Sequence, residues 1–122
     1  MKLTNNEIYT YATTLAAAFQ DSNQKLPIKV NFYLQKNKET LLAMAQDIEK
    51  SRIELLSNYG ELDAESNRFT VHPDKMDVAA KELQDLFDLE QEVNIYKVNI
   101  DSFGDDLSLT TGQMEALLFM ID

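Results

Sequence analysis

Any chemistry in this chain would have to come from its carboxylates. The 122 residues hold 21 Asp and Glu against 11 Lys and Arg, a formal net charge of −10, with one histidine and no cysteine. Glu82, Asp85, Asp88 and Glu92 follow one another at spacings of three, three and four, which on a helix sets their carboxylates along one face. Carboxylate pairs from two facing helices can hold magnesium for phosphate chemistry. All-helical nucleotide pyrophosphohydrolases work this way, with matched Glu-x-x-Glu and Glu-x-x-Asp sets. The upstream acids Glu39, Asp47, Glu49 and Glu54 are too scattered to supply the facing set. The four acids therefore read as a solvated or protein-contacting face. A magnesium-dependent nucleotide hydrolase is the alternative.

The other reactive types lead nowhere sharper. General-base work by His72 needs an orienting acid and a substrate proton within reach. Directly before Pro73, a turn or helix-start role fits it better. Zinc sites of the usual kind need more histidine or cysteine than the chain has. Residues 101–106 superficially resemble a calcium loop, but lack the alternating oxygen ligands and the closing glutamate. Three widely spaced glycines do not make a phosphate loop, Gly112 falls inside a helix-capping motif, and no serine nucleophile elbow is present. The expectation is a protein without catalytic residues, metal or cofactor, acting through its surface.

Charge distribution narrows the partners. Residues 1–60 carry seven Lys and Arg against six Asp and Glu, whereas residues 61–106 carry four against thirteen. Such a second half repels phosphate, so direct nucleic-acid binding is not expected, nor is an anionic membrane surface. It suits a basic protein partner. Tyr9, Tyr33 and Tyr96 lie off or beside the main apolar stripes. Tyr9, Phe32 and Tyr33, exposed together, would form a contact patch. With the acidic face of Glu82, Asp85, Asp88 and Glu92 they make up the candidate protein-contact residues.

The elements that must position these groups are mostly helical. Thr4 and Glu7 form a capping box and Leu3 with Ile8 a hydrophobic staple, opening a helix over about residues 5–20 that Asp21, Ser22 and Asn23 end. Pro27 opens a second helix. Ile28, Val30, Phe32 and Leu34 alternate as a strand would, yet Ile28–Phe32 and Val30–Leu34 also stand at i,i+4, and the unbroken helical pattern to Asn58 favours helix. Its seam runs through Leu34, Leu41, Ala45, Ile48, Leu55 and Tyr59, widened by Leu42, Ile53 and Leu56, and Gly60 stops it. Residues 60–72 read as a small hairpin turning at 63–67. Pro73 starts a third helix with Met76, Ala79, Ala80, Leu83, Leu86 and Phe87 on its apolar face. Residues 93–100, Val-Asn-Ile-Tyr-Lys-Val-Asn-Ile, read as the best strand in the chain. Thr110 and Gln113 cap the last helix, with Leu109 and Met114 as its staple. The fold class expected is mainly α with minor β. It is a long antiparallel helical hairpin with a small β-tip, flanked by an N-terminal helix, one extended strand and a short C-terminal helix, in a single domain over residues 1–122. No run reaches the roughly 18 apolar residues of a membrane span, and the N-terminus lacks the features of a signal peptide, so the expected location is the cytoplasm.

Several stretches carry a resemblance. Leu3 to Tyr9, Leu26 to Phe32, Tyr59-Gly60, Glu92 to Ile95, and Leu109-Thr110 followed by Met114 to Ile121 resemble a family of small uncharacterised proteins of bacteriophages and prophages of Gram-positive bacteria. The similarity spans nearly the whole chain, and its motifs are caps, staples and core faces. It implies a shared fold and a phage or prophage origin, and it assigns no functional residue. The function expected is a phage-type, non-enzymatic protein-interaction module, either an assembly factor or an acidic inhibitor of a host nucleic-acid-binding protein. Its partner would be a basic host protein or a second copy of itself.

Overall fold

The computed structural model describes residues 1–19, 26–66, 68–104 and 109–122. The expected helix stop at Asp21 to Asn23, Asn67 of the turn, and Asp105 and Asp106 of the acidic loop lie outside the described residues. Among the described residues, four α-helices and two small antiparallel strand pairs make up a mainly α fold with minor β.

Strand β1 (Lys2–Thr4) leads straight into α1 (Asn5–Ala18) through the expected capping box. The Glu7 backbone N–H donates to Thr4 Oγ at 3.1 Å, and the Thr4 backbone N–H donates to Glu7 Oε1 at 3.0 Å. Leu3 and Ile8, the staple pair, are both buried. The last helix, α4 (Thr111–Leu117), repeats the device with Thr110 and Gln113, and a 3₁₀ turn (Leu118–Met120) continues it. Such a cap satisfies donors that would otherwise face water or nothing. Replacing Thr4 or Thr110 by alanine is expected to cost about 1 kcal/mol each. Equilibrium urea unfolding of the single and double variants checks this, and near-additive losses are the expected result.

Between these helices lies the long hairpin. Helix α2 (Ile28–Ser57) begins directly after Pro27, so the segment that could have been strand is helix. Val30 and Leu34 are buried while Ile28 and Phe32 face solvent, which is why both periods fitted the same residues. The hairpin of β2 (Gly60–Asp63) and β3 (Arg68–Val71) caps its far end. A 3₁₀ turn (Pro73–Lys75) then feeds α3 (Met76–Asp88), which returns along α2. Gly60 sits where a helix stop was expected, for a different reason. Its backbone is not left-handed, and a Cβ there would lie 2.2 Å from the Thr70 carbonyl oxygen and 2.8 Å from Val71 Cα. The glycine permits the two hairpin strands to meet; it is not a left-handed cap.

Residues 93–100 correct the expectation of a strand. The strand is instead β4 (Glu90–Glu92), which pairs antiparallel with β1. Beyond it the chain stays extended but finds other partners. The Val93 N–H donates to the Met1 carbonyl, the Val98 N–H to the Met120 carbonyl, and the Asp122 N–H to the Val98 carbonyl. Tyr96 is held by a side chain: its N–H donates to Asn37 Oδ1 at 2.8 Å, and Asn37 Nδ2 donates to its carbonyl at 2.9 Å. An amide on α2 thus does the work of a neighbouring strand, and Val93, Ile95 and Val98 pack inward. A further 3₁₀ turn (Ile100–Phe103) buries Phe103 and ends at Gly104, whose φ of 79° does require glycine.

The core runs through α1, α2, α4 and the extended segment, with Ile8, Leu15, Leu34, Leu41, Val93, Val98, Leu117 and Met120 fully enclosed. Helix α3 contributes far less. Only Ala79 is buried on it, and Met76 and Ala80 of its expected apolar face lie in solvent.

Candidate interaction surfaces

The acidic face does not form as one face. Leu89 takes extended backbone (φ −61°, ψ 136°) and ends α3, so Glu92 lies on β4 while Glu82, Asp85 and Asp88 stay on the helix. Glu92 accepts a bond from the Met1 amine at 3.1 Å. The Glu82 carboxylate lies beside the Tyr59 phenol and holds its pKa above the ordinary tyrosine value. Asp85 and Asp88 are exposed. Among the described residues no three acidic or histidine side chains converge as a metal would require. Upstream, Glu49 is engaged by Arg52 one turn on, whose guanidinium donates Nε to Oε2 at 2.9 Å and holds the carboxyl below its usual range. His72 is exposed and begins the 3₁₀ turn, its carbonyl accepting from the Lys75 N–H at 2.8 Å.

The aromatic patch also divides. Tyr9 packs edge-on against Phe87 of α3, ring centroids 6.1 Å apart, and lies within electrostatic reach of Arg52. Arg52 is 20 residues beyond Phe32 on α2, roughly 30 Å along the axis. Tyr9 therefore belongs to the α1–α3 contact. Phe32 and Tyr33 stay together at the start of α2, and the structure adds Tyr96, which stacks on Tyr33 at 5.2 Å. Lys29 Nζ stands 5.8 Å from the Tyr33 ring centre and Lys36 Nζ 5.6 Å from that of Phe32. Ile28 is 88% exposed and Phe32 54%. This end of the molecule is a cation-flanked apolar surface. Lysine so placed is attracted by the ring's electron-rich face.

The opposite end of α2 offers a second surface that periodicity did not reveal. Leu56, Val71, Met76, Ala79, Ala80 and Leu83 line a groove of about 190 Å³ between the end of α2, β3 and α3, with only apolar side chains in its wall. Met76 at its edge is 58% exposed. Between Glu61 and Asp88 the chain carries eight acids against Arg68, Lys75 and Lys81. The helical spacing of the groove residues on α3 was legible; that the hairpin leaves this face half-covered was not, since only the placement of β3 decides it.

A larger cleft, about 710 Å³, lies between the end of α1 and the start of α4, lined by Thr13, Thr14, Ala17, Ala18, Thr110 and Gln113 among others. Its polar groups are already used. The Thr13 and Thr14 hydroxyls donate to the Tyr9 and Thr10 carbonyls, Thr110 caps α4, and Gln113 Nε2 donates to the Ala18 carbonyl at 3.0 Å.

A comparison with known proteins finds no matching family model, no matching curated protein and no matching solved structure. No described helix is long and apolar enough to cross a membrane.

At the hairpin turn, Asp63 accepts the Glu65 N–H and the Ser66 hydroxyl, each at 3.0 Å, and these donors hold its pKa below the ordinary 3.8. A depressed folded pKa means that its stabilising contribution is full above the unfolded value and is lost as pH falls through the folded one. Turn loosening is therefore expected only on the acid side of the usual aspartate range. Amide exchange at Glu65 followed against pH reads this, and Asp63→Asn is expected to remove the acid-induced step.

Proposed function

We propose that this chain acts by binding another protein and not by catalysis, with the acidic hairpin tip as the binding surface. The observation that carries the reading is the apolar groove of Leu56, Val71, Met76, Ala79, Ala80 and Leu83, set in the stretch of greatest negative charge. An apolar side chain flanked by lysine or arginine meets both features, so the occupant is a basic amphipathic segment. Host proteins that bind nucleic acid carry such segments. The resemblance to phage and prophage proteins then points to an assembly factor, or to an acidic inhibitor that imitates phosphate, acting in the cytoplasm of the host cell. The reading requires no metal or cofactor, and no direct contact with nucleic acid or membrane.

Fluorescence anisotropy with two defined peptides tests it. One is an amphipathic helix with leucines on one face and lysines on its rim, the other its glutamate-rimmed counterpart. The lysine peptide is expected to bind, and to lose about tenfold in affinity with Met76→Glu, which puts a charge into the groove. Raising salt is expected to weaken it further, since rim charges are screened. Equal binding of the two peptides, or indifference to Met76→Glu, overturns the reading. Magnesium-dependent nucleotide hydrolysis that disappears with Glu82→Gln and Asp85→Asn would put the hydrolase in its place.

A further inference from the structure

We infer that a second copy of this chain occupies the acidic groove, docking through the cation-flanked aromatic surface at the other end of α2. The inference rests on the tip being a docking surface, and it names the partner from complementarity within the molecule itself. Between residues 22 and 38 the chain carries Lys25, Lys29, Lys36 and Lys38 and no acid, a run matched nowhere else in so acidic a sequence. On α2, Ile28, Phe32 and Lys36 follow at i, i+4 and i+8, with Lys29 and Tyr33 beside them, so one helix face presents apolar anchors between cations. That is the chemistry the groove selects: an apolar side chain for its lining and positive charge for its rim. The core leaves Ile28 and Phe32 in water, whereas Val30 and Leu34 next to them are fully buried.

The two surfaces differ, and they stand far apart. Phe32 and Leu56 are separated by 24 residues of continuous helix, roughly 36 Å. A single copy cannot satisfy its own groove. The contact joins unlike surfaces, the base of one copy to the tip of the next, and either an antiparallel pair or a growing row fulfils it.

Sedimentation velocity on the intact chain, with charge-reversed partners, tests this. The wild-type protein is expected to associate beyond its 14.0 kDa monomer in a concentration-dependent way, and to lose most of that association at about 0.5 M salt, where surface charges are screened within a few ångströms. Lys29→Glu with Lys36→Glu spoils the base, and Asp74→Lys with Asp77→Lys spoils the tip. Each variant alone is expected to associate at least about tenfold more weakly than wild type. Mixed, they keep one intact base and one intact tip, and a dimer with one copy of each variant is expected to form. That mixture also controls for folding, because each variant must dock through its untouched end. A wild-type chain that stays monomeric at low salt overturns the inference, as does association unchanged in both variants, or a mixture no larger than its parts. If the lysine peptide still binds the groove while the chain remains monomeric, self-docking fails and the protein-binding role stands. If neither binds, both fall.

Discussion

Asn37→Leu is expected to lower stability by about 3 kcal/mol. Asn37 is fully buried, and its amide meets both the N–H and the carbonyl of Tyr96. Its nitrogen also lies 3.5 Å from Met120 Sδ. Leucine keeps the branched shape and heavy-atom count, though it is larger, and leaves both Tyr96 groups without a partner; each orphaned buried group costs about 1–3 kcal/mol. The upper part of that range is tempered because Tyr96 itself is partly exposed. Urea unfolding measures the loss as a shifted midpoint at constant slope. A loss below about 1 kcal/mol would show that residues 93–99 find other partners.

Asn37→Asp sharpens the same point. An ionised carboxylate can still accept from the Tyr96 N–H, but it sets a second negative oxygen against the carbonyl. Burial and that carbonyl both favour the protonated form, so the folded pKa rises above the unfolded one. Stability is then expected to fall as pH rises through the unfolded pKa toward the folded one, and to recover in acid, where a protonated carboxyl restores the donor. The wild-type amide shows no such dependence at this position, so the difference between the two pH profiles isolates the pair of bonds.

Gly60 carries the second large effect. Any Cβ there meets Thr70 and Val71 backbone atoms, and backbone in a paired strand cannot swing aside as a long side chain can. Gly60→Ala and Gly60→Val are expected to cost about 2–3 kcal/mol, typical of forcing atoms into filled space. Gly60→Asn is the informative control. Asparagine tolerates left-handed backbone, so it would be accepted at a helix cap of that kind. Here it is expected to fail as alanine does. Because Val71 lines the apolar groove, these variants are also expected to weaken binding of the lysine peptide. Unfolding midpoints and peptide anisotropy on the same three proteins check both parts.

What could be read ahead of the structure follows from how far apart the deciding residues lie. The capping boxes at Thr4 and Thr110 are closed by groups three residues away, so local spacing was enough. The long helix declared itself through an uninterrupted seam, and the helical hairpin through the turn signals at its end. The segment 93–99 misled because β-prone residues such as Val93, Ile95, Tyr96 and Val98 mark a chain that runs extended and say nothing of what pairs with its backbone. Its partner is an asparagine 59 residues earlier, buried on α2 between Leu34 and Leu41. Pairing of β1 with β4 was hidden for a related reason. Glu90, Gln91 and Glu92 have little strand character, and only the arrival of Lys2, Leu3 and Thr4 alongside makes them a strand. Among candidate contact residues, Phe32 and Tyr33 lie side by side at the start of α2, as chain neighbours do. Tyr9 was assigned to them on exposure alone, and helix packing carried it to Phe87. The groove escaped because a half-covered helix face and a buried one share the same apolar period.

The pairing of residues 2–4 with 90–92 has a kinetic consequence. These two strands enclose nearly the whole of α1, α2 and α3 between them, and they are further tied by Asn5, whose N–H reaches the Leu89 carbonyl at 2.8 Å and whose side chain reaches the Leu86 carbonyl at 2.8 Å. Contacts that close so large a loop carry a higher entropic cost than nearby pairings, and contacts of long sequence separation slow folding. The helical hairpin, whose partners are neighbours along the chain, can assemble first. The molecule is then latched by its first few residues.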